Sequence, residues 1–187
     1  MLVECGHVTA QAPDGREWSF TPALGRIAGL GRPTEIVQLY ADLHGPRAAE
    51  SAAYILACLC DQDDPSELIG WRDAAGLHPG AMPAAEQIIM AQHLMRHGIC
   101  GTSKPSAGDG RYAQAFHASE HIAAGVAHLG IPPDIVAGMS MTELQMAFSA
   151  KYPDQAEKRR DVPSADEYTA FMAHMQAMAE KKAQPHV

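Results

Sequence analysis

The sequence has little cysteine and few aromatic residues, and each shortage excludes a class of protein. Four cysteines, Cys5, Cys58, Cys60 and Cys100, are too few and too scattered to form a disulfide framework in a chain of 187 residues. We interpret them as small buried hydrophobic residues in a reducing compartment. Aromatic residues make up 6% of the sequence and hydrophobic residues 47%, so the core must be built mainly from Ala, Leu, Ile and Met. This composition favours packed helices over a β-sandwich or a barrel.

Basic residues are scarce relative to acidic ones. The sequence has 14 Lys and Arg residues against 22 Asp and Glu residues, which gives a formal net charge of -8. Proteins that bind DNA or RNA need clustered basic side chains to neutralise phosphates. The one basic cluster, Lys158-Arg159-Arg160, is flanked by Glu157 and Asp161. The charge pattern therefore predicts no nucleic-acid partner.

Long apolar runs are absent as well. No stretch of the sequence approaches the roughly 18 apolar residues of a membrane span. The N-terminus also lacks the basic start and the apolar run of a signal peptide. We therefore expect a cytosolic protein that does not insert into a membrane.

A predicted β-hairpin opens the chain. Ala12-Pro13-Asp14-Gly15 has the composition of a type I turn with a bulge, because Pro presets φ at the first corner and Gly supplies a positive φ. Short runs of β-favouring residues lie on either side, from Val3 to Thr9 and through Trp18 and Phe20. An isolated hairpin is barely stable in water, so Trp18 and Phe20 are predicted to anchor it on the helices that follow.

Helix signals dominate the rest of the chain. Capping residues, first-turn prolines and apolar residues at helical spacing recur from residue 21 onward. They predict helices near Thr21, Pro33, Ala52, Asp64, Pro83, Arg111 and Ser140. The helix near Asp64 is expected to run through Trp71 to about Ala75, followed by a loop over residues 76–82. A mobile surface loop is expected over residues 98–110.

The predicted fold class is α+β and mainly α-helical, with the N-terminal β-hairpin packed on a multi-helix domain that comprises residues 1–152. Residues 153–187 are predicted to form a charged linker and a C-terminal amphipathic helix, which Ser164 caps. The apolar stripe of that helix is predicted to be a partner-binding or self-association surface. Its residues are Tyr168, Phe171, Met172 and Met175.

Ten histidines make metal binding the first chemical question. His93/His97 and His117/His121 have the i, i+4 spacing that can present two imidazoles to one zinc ion. Leu94, however, stands where a metalloprotease would need a general-base Glu. We predict no metal and no cofactor, with a metal-dependent enzyme that uses these histidine-bearing helices as the alternative.

A second histidine pattern involves three residues. At 100° per residue, His117, His121 and His128 lie within about 40° of arc on the helix predicted near Arg111. This stripe is predicted to face solvent, because the apolar residues of the same helix lie on the opposite side. Whether it has a role is left open.

Patterns typical of catalysis are lacking. The sequence contains no G-x-S-x-G segment and no Gly-rich loop between a strand and a helix. Paired carboxylates such as Asp63/Asp64 lie at predicted helix starts, where the helix dipole already explains them. The chain is therefore predicted not to be an enzyme.

Two segments resemble the tail assembly chaperones of long-tailed bacteriophages. The first is the opening hairpin, from Leu2-Val3-Glu4 to Arg16-Glu17-Trp18-Ser19-Phe20-Thr21-Pro22. The second is Gly130-Ile131-Pro132-Pro133-Asp134-Ile135 followed by Met139-Ser140-Met141-Thr142-Glu143-Leu144, a Pro-Asp turn before a helix start. Family members usually carry an aromatic residue where this chain has Ile135-Val136, and the segment from Lys151 onward is additional.

The resemblance implies a non-enzymatic chaperone of phage tail assembly. Such proteins bind the tape-measure protein and the tail-tube protein in the bacterial host cytoplasm, and they leave before the tail is finished. A structural tail component that remains in the virion is the other alternative. Self-association into a homo-oligomer is also left open.

Overall fold

A computed structural model describes residues 3–74, 76–102 and 113–153 of the chain. The chain divides into two compact units, Met1–Phe148 and Ser149–Val187. Of the predicted linker and C-terminal helix, only residue 153 falls within the described residues. Among the described residues, no helix combines the length and apolarity that crossing a bilayer requires.

The predicted fold class is confirmed: the described residues form a mainly α-helical α+β structure with two small antiparallel hairpins. The strands are β1 (Val8–Gln11), β2 (Glu17–Phe20), β3 (Gly70–Asp73) and β4 (Gly76–Pro79). The helices are α1 (Leu24–Gly29), α2 (Pro33–Asp42), α3 (Ala48–Leu59), α4 (Ser66–Ile69), α5 (Ala84–Met95), α6 (Ala118–Ala124), α7 (Pro133–Gly138) and α8 (Met141–Lys151). Single π-helical turns, Arg96–Cys100 and Gly125–Leu129, extend α5 and α6.

The first hairpin forms as the sequence predicts. β1 and β2 pair antiparallel with Val8 opposite Phe20, and Gly15 adopts a φ of 86° in the connecting turn. Trp18 and Phe20 are both buried in the main core. The strand begins later than predicted, because Val3–Cys5 form a 3-10 turn instead of an extended run.

Helices α3 and α5 pack against each other in the centre of the core. Their contact surfaces are apolar and fully buried, with Ile55, Leu56 and Leu59 from α3 and Leu94 and Met95 from α5. Ile89 of α5, although apolar, is 67% exposed. Its position on the outer side of the helix explains that exposure.

A second hairpin replaces the predicted helix that was expected to continue through Trp71. Helix α4 ends at Ile69 because Gly70 takes a φ of 87°, a conformation that favours glycine and reverses the chain direction. Trp71 then pairs with His78 across the two new strands. The prediction of a helix to Ala75 is therefore wrong, and the predicted loop over residues 76–82 is wrong for residues 76–79, which form β4, and correct for residues 80–82.

The helix start near Asp64 also differs from the prediction. Asp64 Oδ1 accepts a hydrogen bond from the Ser66 backbone N–H at 2.9 Å, as expected of a residue before a helix. Glu67 lies three residues after Asp64, the position of a capping-box acid, but it accepts a hydrogen bond from Arg16 at 2.6 Å. The Glu67 carboxylate therefore pairs with Arg16, which is distant in sequence, and does not cap the helix as the local pattern would suggest.

The helix predicted to begin near Arg111 starts only at Ala118. The Phe116 backbone N–H donates to the Pro33 carbonyl at 2.9 Å, which ties the segment before α6 to the start of α2 in a non-helical conformation. The predicted loop over residues 98–110 is also partly wrong, because Gly98 is buried in the π-turn after α5. Residues 103–110 of that prediction lie outside the described residues.

The helix predicted near Ser140 is confirmed, and a capping box forms at the start of α8. The Ser140 backbone N–H donates to Glu143 Oε2 at 2.8 Å, and the Glu143 backbone N–H donates to Ser140 Oγ at 3.1 Å. These reciprocal bonds satisfy donors that a helix start otherwise leaves free.

Candidate functional site

A largely apolar groove lies between the first half of α3, the β3–β4 hairpin and the start of α5. Its cavity volume is about 580 Å³, which falls within the range of pockets that hold ligands or partner side chains. The walls include the small residues Ala49, Ala53 and Ala84, together with Trp71 and Gln87. The groove can therefore accept an apolar group without displacing large side chains.

Trp71 is the largest exposed side chain of the groove. Its indole is 49% exposed, although it stands on a short strand. The His78 ring stacks on one face, with ring centroids 3.9 Å apart and ring planes 9° apart. His78 in turn lies 3.2 Å from Asp73 through its Nε2 and the carboxylate Oδ1. His78 covers only one face of the indole, so the opposite face is free of His78.

Gln87 of α5 bonds to the two chain segments on either side of the β3–β4 hairpin, beneath the groove. Its side chain is buried, and Nε2 donates to the carbonyl oxygens of Ile69 and Met82, each at 2.9 Å. These two carbonyls lie at the end of α4 and just before α5. A buried amide with two such bonds fixes the relative position of the groove walls.

Charged side chains stand among the groove residues. Arg47 pairs with Asp42 at 2.5 Å, whereas Arg72 and Glu50 are exposed. Because Asp42 offsets the charge of Arg47 and Glu50 offsets that of Arg72, the groove carries little net charge.

A second candidate is a polar network at the other end of the core. Glu143 Oε1 lies 3.0 Å from His7 Nε2, and His7 Nδ1 lies 3.5 Å from Thr21 Oγ1. The Thr21 hydroxyl donates to Asp61 Oδ2 at 3.0 Å, and Asp61 Oδ1 pairs with Arg26 at 2.8 Å. Five side chains from five separate segments are thereby joined.

The order Glu143, His7, Thr21 resembles the acid, base and nucleophile of a hydrolase triad, but the hydrogen bonds favour a structural role. The hydroxyl proton of Thr21 points to Asp61, and the 3.5 Å separation from His7 Nδ1 is long for a base that would remove it. Thr21 is also not the helix cap that the sequence predicted, because α1 starts at Leu24 with Ala23 as its N-cap. The network therefore holds the N-terminal segment to α8 and to the end of α3.

His97 contacts α8 at Thr142, the residue next to Glu143 of this network. Its Nδ1 is 2.8 Å from Thr142 Oγ1, and its ring centroid is 4.5 Å from that of His93. Over the described residues, no group of three or more His, Cys, Asp or Glu side chains is close enough to hold a metal ion. The predicted i, i+4 pair thus supplies two neighbouring rings with different surroundings.

We predict that His97 makes stability depend on pH. Burial lowers the pKa of His97, and His93 and Arg96 lower it further, so the unfolded chain binds the proton at a higher pH than the folded chain. Stability should therefore be greatest above the unfolded pKa of about 6.5 and should fall as the pH drops from there through the folded pKa. Urea unfolding of wild type and His97→Asn above and below this range should show a smaller pH dependence in the variant.

The control for this experiment is Ile135→Ala, an exposed substitution that removes no titratable group. The pH dependence of its stability should match that of the wild type. An unchanged pH dependence in His97→Asn would contradict the prediction.

The predicted stripe of His117, His121 and His128 does not form. His117 precedes α6 with a φ of -97° and a ψ of 83°, and His128 lies in the π-turn after α6. The rotation of 100° per residue in a regular α-helix therefore does not apply at either residue. His117 and His128 are exposed, whereas His121 stacks on Phe116 with ring centroids 5.1 Å apart. Burial lowers the pKa of His121.

The predicted partner-binding residues, Tyr168, Phe171, Met172 and Met175, lie outside the described residues. The sequence patterns do not predict the groove around Trp71, because they predict a helix and a loop where the structure has the hairpin that forms its wall. In the sequence, Gly70 and Gly80 flank a segment that contains Trp71, and these two glycines are the pattern that could indicate a hairpin there.

One family model matches the chain: a family of unknown function (DUF6246), over residues 45–170. No curated protein sequence and no solved structure matches. All groove residues lie inside the matched region, whereas His7 and Thr21 of the polar network lie before it.

Proposed function

We propose that this chain, which belongs to the DUF6246 family of unknown function, is a non-enzymatic chaperone of phage tail assembly. It binds the tape-measure and tail-tube proteins in the bacterial host cytoplasm. The observation that carries the proposal is the apolar groove with its half-exposed Trp71. The resemblance of the hairpin and of the capped helix α8 to tail assembly chaperones supplies the identity of the partners.

The physical character of the groove suits a chaperone of long helical proteins. Such proteins expose apolar stripes before assembly, and these stripes aggregate unless an apolar surface covers them. An exposed tryptophan is the side chain that most often dominates the energy of such contacts. The acidic net charge of -8 favours solubility of the chaperone itself.

We expect Trp71→Ala to weaken binding of the tape-measure protein of the same phage or prophage by at least about tenfold. Dilution of the denatured tape-measure protein into buffer, with and without the full chain, measures protection from aggregation by light scattering. Because Trp71 is half exposed, its removal should leave the melting temperature nearly unchanged.

Ile135→Ala is the matched control, since Ile135 is also an exposed apolar residue but lies outside the groove. It should protect the tape-measure protein as well as the wild type does. If Trp71→Ala protects the tape-measure protein as well as the wild type does, the proposed role of the groove in binding is wrong.

Two measurements separate the chaperone from the alternative functions. A chaperone should be absent from finished particles by mass spectrometry, whereas a structural tail component should be present. Metal analysis of protein purified without a tag should find no stoichiometric zinc or iron, and finding either would favour the metal-dependent enzyme.

A further inference from the structure

We infer that the start of helix α8 is a pH-sensitive contact point that acid releases on one side only. Two consecutive residues of α8, Thr142 and Glu143, each bind a histidine from another part of the chain. Thr142 binds His97, which lies in the π-turn after α5, and Glu143 binds His7, which lies before β1. Acid detaches the π-turn from α8 and leaves the N-terminal segment in place.

The contact between His97 and Thr142 suits a neutral imidazole. His97 Nδ1 lies 2.8 Å from Thr142 Oγ1, and a hydroxyl carries no charge that could offset a proton on the ring. Burial lowers the pKa of His97, and His93 and Arg96 lower it further. A proton on His97 therefore weakens this contact. Since His97 is only partly buried, its ring can enter water when it leaves Thr142.

The contact between His7 and Glu143 tolerates a proton. His7 Nε2 lies 3.0 Å from Glu143 Oε1, so a protonated His7 forms an ion pair with that carboxylate. The second oxygen of the carboxylate accepts the Ser140 backbone N–H at 2.8 Å, which fixes it at the start of α8. Cys5 adds another link, because its Sγ donates to Met146 Sδ at 3.9 Å. The N-terminal segment thus keeps two contacts with α8 in acid.

Three parts of the chain meet around His97: its own helix, the N-terminal segment and α8. The N-terminal segment packs closely, because a Cβ at Gly6 would overlap the Cβ of His97. Glu143 of α8 is engaged by His7 and by a backbone N–H, so its charge is directed away from His97. The titratable groups that these three parts place around the contact are Glu4, Cys5, His7, His93, Arg96 and Glu143.

Native-state hydrogen exchange of the full chain, measured by NMR, tests the inference, with each rate corrected for the intrinsic effect of pH. The Gly101 backbone N–H reports on the π-turn, because it donates to the Arg96 carbonyl at 2.9 Å. The Gly6 N–H reports on the N-terminal segment, because it donates to the Val3 carbonyl at 2.9 Å. Protection of Gly101 should fall by up to about tenfold for each pH unit below about 6.5, while that of Gly6 should not fall.

Two variants separate this contact from a general sensitivity to acid. His97→Asn should abolish the pH dependence of Gly101 protection, whereas His117→Asn, which removes an exposed histidine before α6, should retain it. Thr142→Val removes the hydroxyl and keeps every histidine. It should lower Gly101 protection at neutral pH by about threefold to tenfold and leave Gly6 unchanged.

A Gly101 protection that is independent of pH, or that falls by the same factor as that of Gly6, would overturn the inference. Wild-type pH dependence in His97→Asn would do the same. Cys60, whose N–H donates to Leu56 at the end of α3, should stay better protected than Gly101 throughout. Equal protection of these two amides would mean that the whole fold opens at once, which also contradicts a local release. The Trp71 groove takes no part in these contacts, so the results leave the proposed function untouched.

Discussion

Phe20→Ala is expected to lower the free energy of unfolding by about 3–5 kcal/mol. The Phe20 side chain is 0% exposed and lies in the main core cluster with Trp18 and Leu24. Its removal would leave a cavity where the hairpin meets the helices, and the surrounding helices can close such a cavity only in part. The residue also pairs with Cys60 through an isolated β-bridge, so the cavity would sit at a junction of two segments.

Urea denaturation followed by circular dichroism measures this loss, with Ile89→Ala as the control. Ile89 is apolar and similar in volume but 67% exposed, so its truncation should change the free energy by no more than about 0.5 kcal/mol. A loss below about 1 kcal/mol for Phe20→Ala would show that the hairpin contributes little to the core.

Gly80→Ala is expected to have the second-largest effect, lowering the free energy of unfolding by about 1–3 kcal/mol and disrupting the groove. A Cβ at residue 80 would lie 2.3 Å from both the Gly70 backbone nitrogen and the Leu68 carbonyl oxygen. These are backbone atoms of α4 and β3, so the clash cannot be relieved by rotating a side chain. The hairpin must move away from α4, and Trp71 moves with it.

Three measurements test this prediction: urea denaturation, near-ultraviolet circular dichroism of the tryptophans, and binding of the tape-measure protein. Gly29→Ala is the control, because a Cβ at residue 29 meets no atom within 4 Å and alanine favours the helix in which Gly29 lies. That variant should be as stable as the wild type or slightly more so. A stable Gly80→Ala variant with normal binding would show that the hairpin can shift without loss of the groove.

Elements with a strong local signal could be predicted from the sequence. The turn at residues 12–15 forms because Pro13 restricts its own φ and Gly15 readily adopts the positive φ that the turn requires. Helix α2 begins at Pro33 as predicted, and the Ser140–Glu143 capping box closes with both of its hydrogen bonds. Each of these features depends on residues no more than a few positions apart.

Elements governed by distant contacts could not be predicted in the same way. The apolar spacing around Trp71 suits a short helix, but Gly70 and Gly80 let two backbones approach closely and produce a hairpin. The same limit applies to α6, whose start is delayed by the hydrogen bond between Phe116 and Pro33. Local propensity is a weak bias, and tertiary packing overrides it at these positions.

The fold class, the first hairpin and the residues that anchor it can be predicted from residue patterns, because periodicity and turn chemistry act over short distances along the chain. The location of the candidate site depends on tertiary contacts. The groove needs α3, α5 and the second hairpin to meet, and the polar network needs Glu143 to reach His7. Such convergence depends on how buried surfaces pack between distant segments, which no local pattern of residues specifies.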